Sequence, residues 1–322
     1  MNKFKLVSRR TYWLSIGASL IYGILMRAMM VWHWNGVAFT IMSNTFLFIV
    51  PMIMGYITIA TMTQKSDKLL RALFLPWIPV IAGIIFTLIV AWEGSICAIF
   101  YVPMAMVMSS LGGFIAWMLG KSGQSKKMMM AMLVLPFMSQ PLENMHSPKD
   151  QFKTVHSTVE IHADEAAVWN QIKSVPKIST SEMQDSWVHR IGFPRPLDAE
   201  IDKESVGGVR LARFERGLTF VETVTDWQEN KTLAFNIDVD PKDIPPTALD
   251  EHVTIGGPYF DVLNGRYTLE RKSKDKIILH LTSEFRLSTN FNWYADFWTE
   301  RVMQRIQGDI LSVVKKRAEQ KI

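Results

Sequence analysis

Charge along this chain is laid out in two unequal blocks, and that layout constrains the fold more than any motif does. Residues 1–142 hold eleven Lys/Arg and two acids, Asp67 and Glu93; the totals of 35 and 30 leave 24 basic and 28 acidic residues for the remainder. The first block is therefore +9 and the second −4. Within the first block four apolar stretches, 12–32, 37–62, 69–92 and 95–119, are each long enough to cross a hydrocarbon core, which takes about 20 helical residues. They predict an all-α transmembrane bundle. The first stretch is too long, and too closely followed by others, to be a cleaved signal peptide. The pI of 9.2 then sums two bodies of opposite character and does not describe a basic surface, so no nucleic-acid partner is expected.

The polar links orient these helices. Lys3, Lys5, Arg9 and Arg10 precede the first stretch, Lys65, Lys68 and Arg71 separate the second from the third, and Lys121, Lys126 and Lys127 follow the fourth. The alternate links, 33–36 and 93–94, contain neither Lys nor Arg. This alternation places the N-terminus in the cytoplasm, and fits a bacterial inner membrane. Trp32, Trp34, Trp92 and Trp117 fall near the ends of the stretches, where an indole prefers the interface. A fifth stretch, 128–142, is shorter, but can span a thinned bilayer if Lys126 and Lys127 snorkel. It has no polar face, which favours a crossing and an extracytoplasmic C-terminal domain. Lying on the surface, it would leave that domain in the cytoplasm.

Nothing in the first block reads as a transporter. Arg27 is the strong charge inside a span and is expected to snorkel to the outer interface. Ala105, Ser109 and Gly113 form a small-residue stripe suited to close helix packing. The single cysteine, Cys97, lies in an apolar run, which excludes an intrachain disulfide and a thiolate metal cluster. The domain organisation expected is a transmembrane region of four to five helices over 1–142, a linker over 143–152, and a soluble domain over 153–322.

After 153 the hydrophobic period changes. Residues 154–162 alternate as a strand, Asp164 is placed to cap a following helix, and 177–208 reads as irregular and turn-rich. Strand-like runs follow at 209–216, 218–227, 232–239, 265–272 and 276–287, the last two joined by a tight turn at 273–275. Thr289 or Asn290 then opens a long helix whose apolar face includes Tyr294, Trp298, Val302, Ile306, Ile310 and Val313. The basic residues Lys315, Lys316 and Arg317 complement the dipole at its end.

The order of elements, with VEIHADEAAVWNQI at 159–172, the meander from GVRLARFE to DWQENKTLAFNI across 208–237 and the terminal helix, resembles the START-like or SRPBCC superfamily of polyketide cyclase/dehydrase and lipid-transport proteins. The resemblance covers about 153–319. It implies an α+β helix-grip domain: a curved antiparallel sheet around the long C-terminal helix, with a cavity between them for a hydrophobic ligand. A sheet with one apolar face needs a cover, and the final helix is the element long enough to supply it.

The residues expected on the cavity face are Phe220, Phe235, Tyr259, Tyr267, Leu279, Leu281, Phe285, Trp298 and Val302. Each has a plain alternative as ordinary core. His280 alternates with Leu279 and Leu281 and is expected on the outer face. Gly256-Gly257-Pro258 suits either an entrance loop or an ordinary turn. The histidines lack ligand spacing, and His156 and His162 on one strand stand about 20 Å apart, at about 3.3 Å per residue, too far to share an ion. No metal, cofactor or nucleophile–base constellation is expected. The function expected is a membrane-anchored, non-catalytic module that takes membrane lipids or another hydrophobic small molecule. The alternatives are a cyclase/dehydrase- or hydrolase-type enzyme using the same cavity, or a ligand-sensing or protein-interaction module.

Overall fold

The computed structural model describes residues 9–30, 33–34, 37–38, 40–62, 69–239, 242, 244 and 254–320. Lys3, Lys5, Trp32, Lys65, Lys68, Asp240 and His252 lie outside the described residues. The chain divides into two compact units, Met1–Pro148 and Lys149–Ile322.

In the first unit the helices are α1 (Arg9–Met29), α2 (Val50–Ala60), α3 (Leu69–Phe74), α4 (Trp77–Ile89), α5 (Ser95–Lys121) and α6 (Ser125–Asn144). Among the described residues three segments are long and apolar enough to cross a membrane: Arg9–Met29, Leu69–Ile89 and Ser95–Lys121. The second expected span, 37–62, is shorter than the sequence pattern suggested. Residues 33–34 and 37–38 pair as the short antiparallel strands β1 (His33–Trp34) and β2 (Val37–Ala38). The apolar helix then runs over Thr45–Ala60, opening with a π-helical turn at Thr45–Ile49. The Glu143 carboxylate fixes that start by accepting from the backbone N–H groups of Asn44 (2.7 Å) and Thr45 (3.0 Å), donors an isolated helix end leaves open.

Two buried clusters mark the two ends of this unit. One gathers Ile16, Tyr56, Ile59, Ala72 and Ala116, with Met129 and Met132 packed against it. The other gathers Met26, Met30, Val50, Val80 and Ala105, with Tyr101 and Phe137 beside them. Each helical segment runs from one cluster to the other, α6 included. Tyr56 Oη donates to the Ser125 carbonyl at the start of α6 (2.5 Å), and Thr45 Oγ1 meets Ser139 Oγ near its end (3.0 Å). Five passes therefore bring residue 144 to the end of the bundle opposite residue 9.

Helix contact is closest where side chains are smallest. A Cβ on Gly112 of α5 would stand 1.7 Å from the Met52 carbonyl oxygen, and one on Gly55 of α2 would stand 1.9 Å from that of Ser109. Arg27 does not snorkel. It is buried, its Nε paired with Glu93, while its Nη2 donates to the Trp92 carbonyl at 2.7 Å. A link that leaves a helix has a spare carbonyl to offer, so the charge is satisfied inside the protein.

The second unit contains β3 (Gln151–Ile161), α7 (Glu165–Lys173), α8 (Trp187–Arg190), β4 (Pro196–Ile201), β5 (Val209–Phe214), β6 (Thr219–Gln228), β7 (Thr232–Asp238), β8 (Phe260–Ser273), β9 (Lys276–Leu287) and α9 (Asn292–Glu319). The strands form one antiparallel sheet in the order β3-β9-β8-β7-β6-β5-β4. In β9 every second residue from Ile277 to Leu287 is buried, the signature of a strand with one covered face. The cover is α9, which packs on β3 through Ser157–Gln307 (2.7 Å) and Lys153–Asp296 (3.0 Å) and on β9 through Gln307–Ser283 (3.0 Å). This is a helix-grip arrangement. Asp164 caps α7 by accepting from the Ala167 N–H at 2.7 Å.

Two elements hide in the stretch expected to be irregular. Edge strand β4, PLDAEI, carries too few apolar residues to show a period, and its proline takes the first position, where a strand tolerates one. Helix α8 is a single turn. Helix α9 begins at Asn292, later than expected, after the Asn292 side chain has bonded the Thr289 N–H and hydroxyl at 2.8 Å each. Arg317 is a clamp more than a dipole partner. It binds the Glu182 carboxylate and the carbonyls of Pro176 (2.9 Å) and Lys177 (3.0 Å).

Candidate functional site: the inner wall of the grip

The sheet face turned toward α9 is built by alternate residues of β5 to β9. Phe235, Tyr267, Leu279 and Leu281 meet there in one buried cluster with Trp169, α7 supplying the indole and α9 adding Leu311 and Val314. Gly265 on β8 gives the Phe235 ring its seat, since a Cβ at Gly265 would stand 2.6 Å from the ring. A glycine inside a strand pattern is the sequence sign of such an approach. The other expected wall residues are distributed elsewhere. Phe285 belongs to a separate cluster with Val155 and Leu287, and Phe220 packs at a tilt on Phe214 (4.8 Å between ring centroids) beside Val175 and Ala212. Val302 is buried, whereas Tyr259 and Trp298 are half-buried. The Gly256-Gly257-Pro258 segment is a turn, with positive φ at Gly256, held by Asp261 and Arg286.

The most telling wall groups are charged ones that sequence reasoning passed over. Arg210 and Glu222 form an ion pair, both buried, on neighbouring strands β5 and β6. The guanidinium lies over the Phe235 ring at 5.5 Å. Its Nε is buried with no acceptor among the described residues. Burial raises the Glu222 carboxyl above its ordinary range, and pushes the Tyr267 phenol up to about 12. In the sequence VRLARF the apolar residues Val209 and Leu211 look like the inward set. The structure turns Arg210 and Ala212 inward instead, because the register of β5 on β6 pairs Arg210 with Glu222.

Two further polar groups are buried on α9 itself. Gln307 joins Ser157 (2.7 Å) to Ser283 (3.0 Å). Asp309, buried, takes the Arg305 guanidinium at 2.9 Å and faces His189 Nε2 at 3.4 Å, while His189 Nδ1 lies 3.0 Å from the Phe193 carbonyl. On the outside of the same helix a groove of about 470 Å³ runs between β3, residues 181–184 and the C-terminal half of α9, floored by Val159, Met183 and Leu311. None of the nine expected wall residues lines it. Among the described residues no group of three or more His, Cys, Asp or Glu is arranged to hold a metal ion.

No family model matches the chain, and no curated protein matches it. Solved structures similar to about half of it include an aromatase/cyclase, a norcoclaurine synthase and a START superfamily protein. The Zhui aromatase/cyclase from Streptomyces sp. R1128 is 17% identical, with a TM-score of 0.35, over 53% of this chain and 95% of that one. Truncated norcoclaurine synthase from Thalictrum flavum is 12% identical (TM-score 0.34; 55% and 99% covered). A START superfamily protein from Mycobacterium smegmatis is 13% identical (TM-score 0.34; 52% and 97% covered).

Proposed function

We propose that this chain is a membrane-anchored, non-catalytic module that binds a lipid or another hydrophobic small molecule between its sheet and α9. The observation that carries this reading is the composition of the inner wall. Aromatic and aliphatic side chains surround one buried ion pair whose Arg210 Nε has no acceptor among the described residues. Ligand sites combine a mostly apolar lining with a few fixed polar groups in this way. Phe220, Phe235, Tyr259, Tyr267, Leu279, Leu281, Phe285, Trp298 and Val302 are the contact residues proposed, with Arg210 added as the group for the ligand's polar end. The three apolar segments anchor the chain, and the two-ended bundle supports a fifth crossing by α6. Basic residues at the α1 start and the α5–α6 link supply the orientation, N-terminus inside and C-terminal domain outside.

The full chain, released from detergent in a mass spectrometer, should retain a hydrophobic ligand, and Phe235→Trp should reduce its occupancy. Recovery of only bare protein after gentle extraction, by native spectra and by solvent extraction alike, would sink the reading. The enzyme alternative has one observation on its side, the acid–histidine pair Asp309–His189. Acid–base catalysis needs a substrate to reach it. Diethyl pyrocarbonate should spare enclosed His189 and modify exposed His156; rapid modification of His189 in the folded chain would favour the enzyme.

A further inference from the structure

On the face of the sheet turned away from α9, three residues form a diagonal across three strands: His156 on β3, His280 on β9 and Glu270 on β8. The imidazoles stack with centroids 5.3 Å apart and planes 24° apart. His280 Nδ1 stands 3.4 Å from His156 Nε2. On the far side of each ring the second nitrogen is already held. His280 Nε2 lies 3.0 Å from Glu270 Oε2, and His156 Nδ1 lies 3.0 Å from Thr282 Oγ1.

These partners fix which nitrogen carries a proton. The Glu270 carboxylate, paired with Lys272 through its other oxygen, is an acceptor. It therefore takes the Nε2–H of His280 and leaves Nδ1 with a lone pair aimed into the gap between the rings. The Thr282 hydroxyl can accept as well as donate, so His156 can carry its proton on Nδ1 against Thr282 Oγ1 and leave the Nε2 lone pair facing the same gap. A carboxylate behind a ring nitrogen is the arrangement that orients a metal-ligating histidine and raises its basicity. The gap itself has the right width. Two imidazole nitrogens at about 2.0–2.1 Å from a tetrahedral ion stand about 3.3–3.4 Å apart.

We infer that His156 and His280 form a two-histidine site for a borderline divalent cation, Zn²⁺, Cu²⁺ or Ni²⁺, with Glu270 as its orienting carboxylate. Imidazole suits these ions, and water fills their remaining positions. On binding, each neutral ring keeps its one proton on the outer nitrogen, His156 Nδ1–H toward Thr282 Oγ1 and His280 Nε2–H toward Glu270, while His156 Nε2 and His280 Nδ1 take the ion. The occupied site would fasten edge strand β3 to β9 on the outer face, where His156 is exposed and its ring is free of the core.

The test uses the untagged full chain in detergent, stripped with a chelator and titrated with Zn²⁺ by calorimetry at constant pH. One ion per chain should bind. His156→Ala and His280→Ala should each abolish it, His162→Ala should leave it intact, and Glu270→Gln should weaken it about 10–100-fold. With one equivalent of Cu²⁺, electron paramagnetic resonance should show two imidazole nitrogens in the wild type. Hydrogen-exchange maps of the metal-free variants check that each still folds. Absence of saturable Zn²⁺ and Cu²⁺ binding, or binding that survives either histidine substitution in a folded variant, would overturn the inference.

Discussion

Each unit of this protein buries one Arg–Glu pair to a similar depth, and the two pairs are finished differently. In the bundle, Arg27 reaches Glu93, the carbonyl of Trp92 and, at 5.8 Å, the Trp92 ring. In the sheet unit, Arg210 reaches Glu222 and the Phe235 ring, and its Nε is left over among the described residues. The difference lies in where backbone carbonyls are free. A helix end exposes unbonded carbonyls to any cation placed beside it. Inside a sheet the ladder has already used them. A leftover donor in an apolar wall is costly unless something else supplies an acceptor.

The comparison can be broken by substitution, with peptide-resolved hydrogen exchange on the full chain reading the two units separately. The largest effect is expected for Arg210→Met, which strands Glu222 and should destabilise the sheet unit by about 3–5 kcal/mol. Adding Glu222→Leu should restore most of that loss. Arg27→Met should cost the bundle only about 1–2 kcal/mol, in the range of interhelical polar contacts in membranes. Equal losses at the two sites would show that the free carbonyl does not matter.

Close packing gives a second pairing. Gly112→Ala pushes a methyl into backbone, the Met52 carbonyl, and should cost about 1–3 kcal/mol. Gly265→Ala meets a side chain that can turn aside, so about 1 kcal/mol is expected. If the two alanines cost the same, side-chain relief at Phe235 is not available.

The smallest effect is local and set by pH. Hydrogen bonds from Arg317 draw the Glu182 carboxyl down to about 2 from its ordinary 4.5. Because the folded value is depressed, the clamp contributes fully above about 4.5 and is lost as pH falls toward 2. Exchange in residues 176–184 should therefore rise over that window, after correction for intrinsic rates, and Arg317→Gln should remove the transition.

Much of the architecture could be read from periodicity. Strand β9 was bounded at 276–287 because its alternation is unbroken, and the charge blocks separated the two units. What escaped shares one cause. Strands β4 and β5 are short and rich in charge, so neither shows which face is inward until its neighbour sets the register. The Arg210–Glu222 pair and the His156–His280 pair are contacts between strands that no spacing along the chain encodes; the two histidines are 124 residues apart. The same logic explains why Arg27 looked like a snorkelling residue: its partner Glu93 is 66 positions away.

Among the described residues strand β3 pairs with β9 alone, Ile161 opposite Ile277 and Gln151 opposite Leu287. The first strand of the sheet unit is thus the partner of the last. At about 5–20 residues per second, a ribosome takes on the order of 10 s to deliver that partner. Throughout that interval a half-apolar strand waits with both edges open, and the rate of sheet closure is governed by the longest-range pairing in the unit. Premature termination anywhere before residue 276 would release a chain with a ready template for aggregation at β3.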